Sequence, residues 1–123
     1  MYTLEVETEF AAAHFLDGYQ GRCENLHGHN WRVSLAVTGE ALDAVGMLVD
    51  FSLLKQWLRG EIEKLDHRLL NETPPFDAMN PTSENIARHL ARQMAARLPE
   101  GVKVECVRVW ESDKARAEYR FPT

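Results

Sequence analysis

Apolar and polar residues alternate from the start of the chain. Leu4, Val6, Thr8 and Phe10 fall on one side of an extended backbone, and Glu5, Glu7 and Glu9 on the other. A period of two residues is that of a half-buried strand. A loop rich in Gly, Asp, Gln and Arg follows from Asp17 to Arg22. Alternation then returns, with Trp31, Val33, Leu35 and Val37 set against Arg32, Ser34 and Thr38, and predicts a second strand ending near Gly39. The period then changes. Phe51, Leu54, Trp57, Leu58, Ile62 and Leu65 recur at spacings of three and four, the stripe of a core-facing helix, with Asp50 or Ser52 able to cap its start. This helix is expected to close at Leu65-Asp66-His67 and must end before Asn71, because Pro74 and Pro75 cannot continue it. A turn-rich stretch, Thr73 to Pro81, leads to a second helix capped by Thr82 or Ser83, with Ile86, Leu90, Met94 and Leu98 as its stripe. Pro99 and Gly101 stop it. Two more strands are predicted, Val102 to Glu111 and Ala115 to Phe121.

The order strand, strand, helix, helix, strand, strand predicts an α+β fold with both helices on one face of an antiparallel sheet. The chain has 123 residues, which fits one domain spanning 1–123. A formal net charge of −5 is a poor match for a phosphate backbone, so no nucleic-acid partner is expected. No apolar run approaches the ~18 residues that span a bilayer, so no membrane partner is expected either. The N-terminus lacks a basic, then apolar, export signal, and a cytoplasmic location with free thiols at Cys23 and Cys106 follows as an expectation.

The chemistry concentrates in the histidines. His27-Gly28-His29 places two rings on one face of a strand. His14 lies at the end of the first strand, in phase with Phe10 and Ala12. If the first two strands form a hairpin, all three rings converge. Three imidazoles suit a catalytic zinc, which keeps a fourth position for water or substrate. An H-x-H pair alone is more often structural; a third histidine across the hairpin tips the balance toward metal. Cys23 stands four residues before His27 and next to Arg22. Cation and metal both favour a thiolate. Position leaves it three roles: base, fourth ligand of a closed structural site, or incidental residue. Cys106, in phase with Val102 and Val104, reads as core. Asp66-His67 reads as a solvated helix end or as half of a proton relay. His89 falls off the apolar stripe and is expected to be exposed. Glu111 ends an apolar strand, where a carboxylate marks emergence into solvent or accepts an amidine-like N–H pair.

Taken together, Phe10-Ala-Ala-Ala-His14, Cys23-Glu-Asn-Leu-His27-Gly-His29-Asn30, Val49-Asp50-Phe51, Leu65-Asp66-His67, Leu70-Asn71, Asn80-Pro-Thr-Ser-Glu-Asn85 and Glu111 resemble the family of 6-pyruvoyl-tetrahydropterin and 6-carboxytetrahydropterin synthases. The resemblance covers nearly the whole chain. It implies the tunnelling fold (T-fold), a four-stranded antiparallel sheet backed by two helices, assembled as homohexamers, dimers of trimers, with active sites between subunits. It implies that His14, His27 and His29 bind zinc, that Cys23 is the base, that Asp66 and His67 relay protons from the neighbouring subunit, and that Glu111 holds the pterin, with Thr82 and Ser83 among the substrate-binding residues. Three residues between Cys23 and His27 is the spacing of the bacterial 6-carboxytetrahydropterin branch of queuosine biosynthesis. The implied reaction is lyase chemistry on 7,8-dihydroneopterin triphosphate. It gives 6-carboxy-5,6,7,8-tetrahydropterin, acetaldehyde and triphosphate. Glu24 stands where a related, folate-directed branch uses a glutamate in place of the cysteine, so that reaction and the 6-pyruvoyl one stand beside the first. A reading of another class is a non-catalytic, zinc-stabilised assembly module in which Cys23 completes a closed site.

Overall fold

The computed structural model describes residues 1–18 and 25–123. Two long strands, β1 (Tyr2–His14) and β2 (His27–Gly39), form an antiparallel hairpin without a register shift, from Tyr2 opposite Gly39 to His14 opposite His27. β4 (Val102–Ser112) pairs with the other edge of β2, and β5 (Ala115–Tyr119) closes that side. Helices α1 (Phe51–Ile62) and α2 (Ser83–Ala95) lie between the strand pairs in sequence. This is the expected α+β arrangement with one addition. Arg68–Leu69 forms a two-residue β3, parallel to β1 at Ala12 and Ala13, so the sheet has five strands in the order β3-β1-β2-β4-β5 and is mixed. Two residues are too few for a period to appear in sequence.

One face of the sheet is apolar because the alternation makes it so. Val6 and Phe10 of β1, Trp31, Val33, Leu35 and Val37 of β2, and Val107 and Val109 of β4 pack with Leu54, Leu58 and Ile62 of α1 and Ile86, Leu90 and Met94 of α2. Each large side chain buried this way contributes roughly 1.5–3 kcal/mol. Both helix starts are capped as expected: the Asp50 carboxylate accepts from the Ser52 N–H, and the Thr82 hydroxyl accepts from the Asn85 N–H. α1 stops at Ile62, short of Leu65-Asp66-His67. His67 has φ 57°, a left-handed conformation that no helix interior accommodates. Buried Glu61 bonds to Lys64 and to Arg97, which lies beyond α2. His89 is half-buried, edge-on to Phe76 with ring centroids 5.4 Å apart, and not exposed as its position suggested.

A bulge interrupts β4. Val104 stands opposite Val37 and Cys106 opposite Ala36, so Glu105 is an extra residue. The bulge changes which face the alternate residues occupy. Val102 and Val104 lean on the core, yet Cys106 is buried on the opposite face, beside Arg108, Glu118 and Arg120. The reading of Cys106 as core is therefore right about burial and wrong about the face. That other face carries ion pairs, among them Arg108 to Glu5 and Glu118 and Arg120 to Glu105, and a stack of Arg32 over the Trp110 ring at 4.0 Å.

Candidate active site

The hairpin register brings the three histidines together. His14 and His27 are direct cross-strand partners at the last position of the ladder, and His29 shares the face of His27. The rings stand at 4.6–5.2 Å between centroids, all edge to face. Beneath them lies fully buried Trp31, at 4.9 Å from His14 and 5.2 Å from His29. Glu111, at the end of β4, completes the group: one ligand atom from each of His14, His27, His29 and Glu111 lies within 4.8 Å of the others.

Hydrogen bonds fix which nitrogen faces inward. His14 Nδ1 lies 2.8 Å from the Pro81 carbonyl oxygen, and His27 Nδ1 lies 2.6 Å from that of Asn25. A carbonyl only accepts, so each Nδ1 carries its proton and, in the neutral ring, each Nε2 presents a lone pair. These two Nε2 atoms face one another at 3.0 Å. His29 Nε2 is occluded and without a hydrogen-bond partner. Burial pushes the pKa of His14 below the ordinary histidine value, against the pull of the Pro81 carbonyl, and does the same to His29, against the pull of Glu111. Neutral rings aiming unshared lone pairs at one point form a set that a cation satisfies. The residues present fit a metal.

Asp66 and His67 also pair. Asp66 Oδ1 accepts from the Ala11 N–H at 2.9 Å and lies 3.0 Å from His67 Nδ1. The Ala11 bond, with His67 beside it, holds the Asp66 carboxyl below the usual carboxylate range. His67 is anchored through its own N–H to the Ala11 carbonyl at 2.6 Å while its ring stays exposed. A non-glycine residue held at positive φ costs roughly 1–3 kcal/mol, a strain that clusters at functional positions. His67 lines an open groove of about 500 Å³ with His29, Arg68 and the small residues Ala11, Ala13 and Gly28. Glu111 and Ser83 line a second groove of about 490 Å³ together with Arg116. Thr82 is engaged as the cap of α2. Cys23 and Glu24 lie outside the described residues.

The sequence reading gave no role to two asparagines that hold the chain beyond β1. Asn71 accepts from the Phe15 N–H and donates to the Phe15 carbonyl, both at 2.9 Å. Asn80 does the same to Asp17, again with both bonds at 2.9 Å. Asn80 also uses its own carbonyl to accept from Asn85 Nδ2 at 2.9 Å. The Asn80–Asn85 stretch is thus a support: one residue clamps the chain after His14, the next orients the His14 ring, the third caps α2. The signal available in sequence was an Asn before Pro and an Asn after a helix, both ordinary turn residues.

Comparison with known proteins bears on the chain as a whole. The family model described as 6-pyruvoyl tetrahydropterin synthase matches residues 3–122. A 6-carboxy-5,6,7,8-tetrahydropterin synthase of Rickettsia bellii is 32% identical over 112 residues, covering 77% of this chain and 81% of that protein. A dihydroneopterin monophosphate aldolase of Pyrococcus furiosus is 36% identical over 98 residues, covering 80% and 81%. The structure of Caenorhabditis elegans 6-pyruvoyl tetrahydropterin synthase superposes with a TM-score of 0.86 at 27% identity, over 98% of this chain and 96% of that one. A match that runs from the first strand to the last, on a backbone shared almost end to end, leaves one assignment: the chain belongs to the 6-pyruvoyl tetrahydropterin synthase family.

Proposed function

We propose that the protein is a zinc-dependent carbon–carbon lyase that converts 7,8-dihydroneopterin triphosphate to 6-carboxy-5,6,7,8-tetrahydropterin, releasing acetaldehyde and triphosphate. The observation that carries the reading is the convergence of His14, His27 and His29 on one point with their Nδ1 atoms tied back to carbonyls. Zinc held there supplies Lewis acidity, which lowers the cost of removing a proton from a carbon beside a substrate oxygen. The remaining work belongs to side chains. Cys23 accepts that proton as a thiolate, and His67, oriented by Asp66, moves the next one. Glu111 accepts the pterin's 2-amino and ring N–H pair, with Ser83 beside it and Thr82 at the start of α2. With uptake of one water, the three-carbon side chain then divides into one carbon kept as carboxyl and two released as acetaldehyde, and the two electrons its carbons give up reduce the dihydropterin ring to the tetrahydro level. Queuosine biosynthesis, a homohexamer and a cytoplasmic location complete the proposal. Among the described residues no helix is long and apolar enough to cross a membrane.

A second reading is favoured by the Pyrococcus relative, whose name is that of an aldolase acting on dihydroneopterin monophosphate, and by the presence of Glu24 beside Cys23. A retro-aldol cleavage keeps one carbon as hydroxymethyl and releases a two-carbon aldehyde that still carries the phosphate ester. Incubation of the zinc-loaded protein with dihydroneopterin triphosphate and with the monophosphate, followed by product identification, separates the two. Acetaldehyde with a 6-carboxy pterin is the expected result. A hydroxymethyl pterin would transfer the assignment to the aldolase reaction, and a 6-pyruvoyl product to the third branch.

A further inference from the structure

We propose that Arg68 receives the triphosphate of the substrate, in the groove that it lines together with His29. The inference rests on the lyase reading above and gives a partner to the one part of the substrate that no residue yet holds. A chain with a net charge of −5 must meet a triphosphate with local positive charge that its own acids have not taken up. Several arginines are taken up. Arg108, Arg116 and Arg120 pair with acids on the charged sheet face, and Arg97 pairs with buried Glu61. Arg68 is exposed and, among the described residues, makes no ion pair.

Two grooves border the group formed by the three histidines and Glu111, and they differ in charge. The one of about 490 Å³ contains Glu84, Glu111 and Glu118, and its Arg116 already stands 3.6 Å from Glu118 Oε1. Three carboxylates repel a polyanion there. The other, of about 500 Å³, is lined by His29, His67 and Arg68, with no aspartate or glutamate among its described lining residues. Asp66, next to His67 in sequence, has its Oδ1 engaged by the Ala11 N–H and the His67 ring. The sheet also sets the distance. Arg68 pairs with Ala12 of β1, and Ala12 with His29 of β2. At ~4.8 Å per strand, the Arg68 and His29 backbones stand about 10 Å apart. The substrate's side-chain hydroxyls face the metal, and its phosphates begin on the next carbon. An extended triphosphate covers the rest of that span, and the small residues Ala11, Ala13 and Gly28 leave the groove open for it. The planar guanidinium of Arg68 donates paired N–H groups to phosphate oxygens, a fit that an ammonium does not reproduce.

The test uses the zinc-loaded full chain and two air-stable, ring-oxidised ligands, neopterin and neopterin triphosphate, which differ only in the phosphates. Fluorescence titration gives the ratio of their affinities, in which the contributions of ring and hydroxyls cancel. The wild type is expected to prefer the triphosphate by about tenfold or more, an advantage that shrinks as salt rises. Arg68→Gln should lose most of that preference while keeping its zinc and its affinity for neopterin. Arg68→Lys, which keeps the charge without the fork, should fall between the two. A glutamine variant with the wild-type ratio overturns the proposal, and so does a wild type that binds both ligands equally. Parallel loss of neopterin and triphosphate affinity overturns it as well, because Arg68 then shapes the site and holds no phosphate. Product identification with dihydroneopterin triphosphate keeps the two readings apart. Acetaldehyde release by the wild type, with an unchanged ratio in Arg68→Gln, leaves the lyase and removes the role of Arg68. A triphosphate preference that depends on Arg68, in a protein that releases no acetaldehyde, leaves the phosphate site and removes the lyase.

Discussion

Replacing Asn71 with Ala isolates what holds His14 in place. Both amide bonds to Phe15, the residue after the ligand, measure 2.9 Å. Each such bond contributes about 1 kcal/mol net, so the substitution costs about 2 kcal/mol in all. For a domain of this size that corresponds to a fall in Tm of about 8 °C. The loss falls at the end of β1, where the hairpin ladder stops, so the metal should be held more weakly as well. Asn71→Asp refines the test. It keeps the acceptor for the Phe15 N–H but sets a second oxygen against the Phe15 carbonyl, at a cost of roughly 1–3 kcal/mol. Thermal unfolding of the metal-free proteins measures the first quantity, and zinc competition against a chelator the second. If Asn71→Ala melted within about 1 °C of wild type and held zinc equally well, the clamp would be shown to add nothing to the backbone it grips, and the supporting role given to it here would be wrong.

Three further outcomes are expected. His27→Ala and His29→Ala should each lose bound metal while remaining folded; metal analysis showing full occupancy in both would remove the centre. Cys23→Ala should keep zinc and lose nearly all turnover, whereas Cys106→Ala, on the charged sheet face, should keep activity; loss of zinc from the Cys23 variant would mark it as a ligand. The third concerns pH. His14, His29 and His89 all have pKa values lowered by burial, so the unfolded chain binds protons more readily than the folded one. The metal-free protein should therefore hold full stability above the ordinary histidine pKa of about 6.5 and lose it as pH falls below that value. The Tm measured from pH 7.5 to 5 checks the direction, and His89→Gln, which removes the group lying near Glu61 and Lys64, should flatten part of the slope.

Much of this was legible in sequence because it is periodic. The two-residue period of β1 and β2 placed His14, His27 and His29 on the core face, and the hairpin did the rest. Capping chemistry located both helix starts. What escaped was either too short or too tertiary. The two residues of β3 carry no period, and the left-handed His67, beyond the end of α1, is held by Ala11, more than fifty positions away. His89 is covered by Phe76, from a turn no pattern places. The ligand-orienting groups at Pro81 and Asn25 are backbone carbonyls, which every residue has. Glu111 was visible as a carboxylate at a strand end, but its position beside His29 depends on strand pairing across the sheet.

That position depends on parity. Before the bulge, even-numbered residues of β4, Val102 and Val104, lean on the core; after it, the odd-numbered Val107 and Val109 do, and Glu111, at a second irregularity where β4 pairs with β5 between Trp110 and Ser112, lies on the histidine side with them. In an unbroken strand continuing from Val102 and Val104, residue 111 would face the charged side, with the whole sheet between it and the rings. The extra residue at Glu105 is thus a phase shifter, remote from the centre and indifferent to its own side chain. Point substitutions at position 111 change what is offered to the cluster; an insertion or deletion between the two irregularities of β4 changes which face the strand turns toward it. For a chain of this kind, a gain or loss of one residue in the middle of β4 is a change of function written as a change of length.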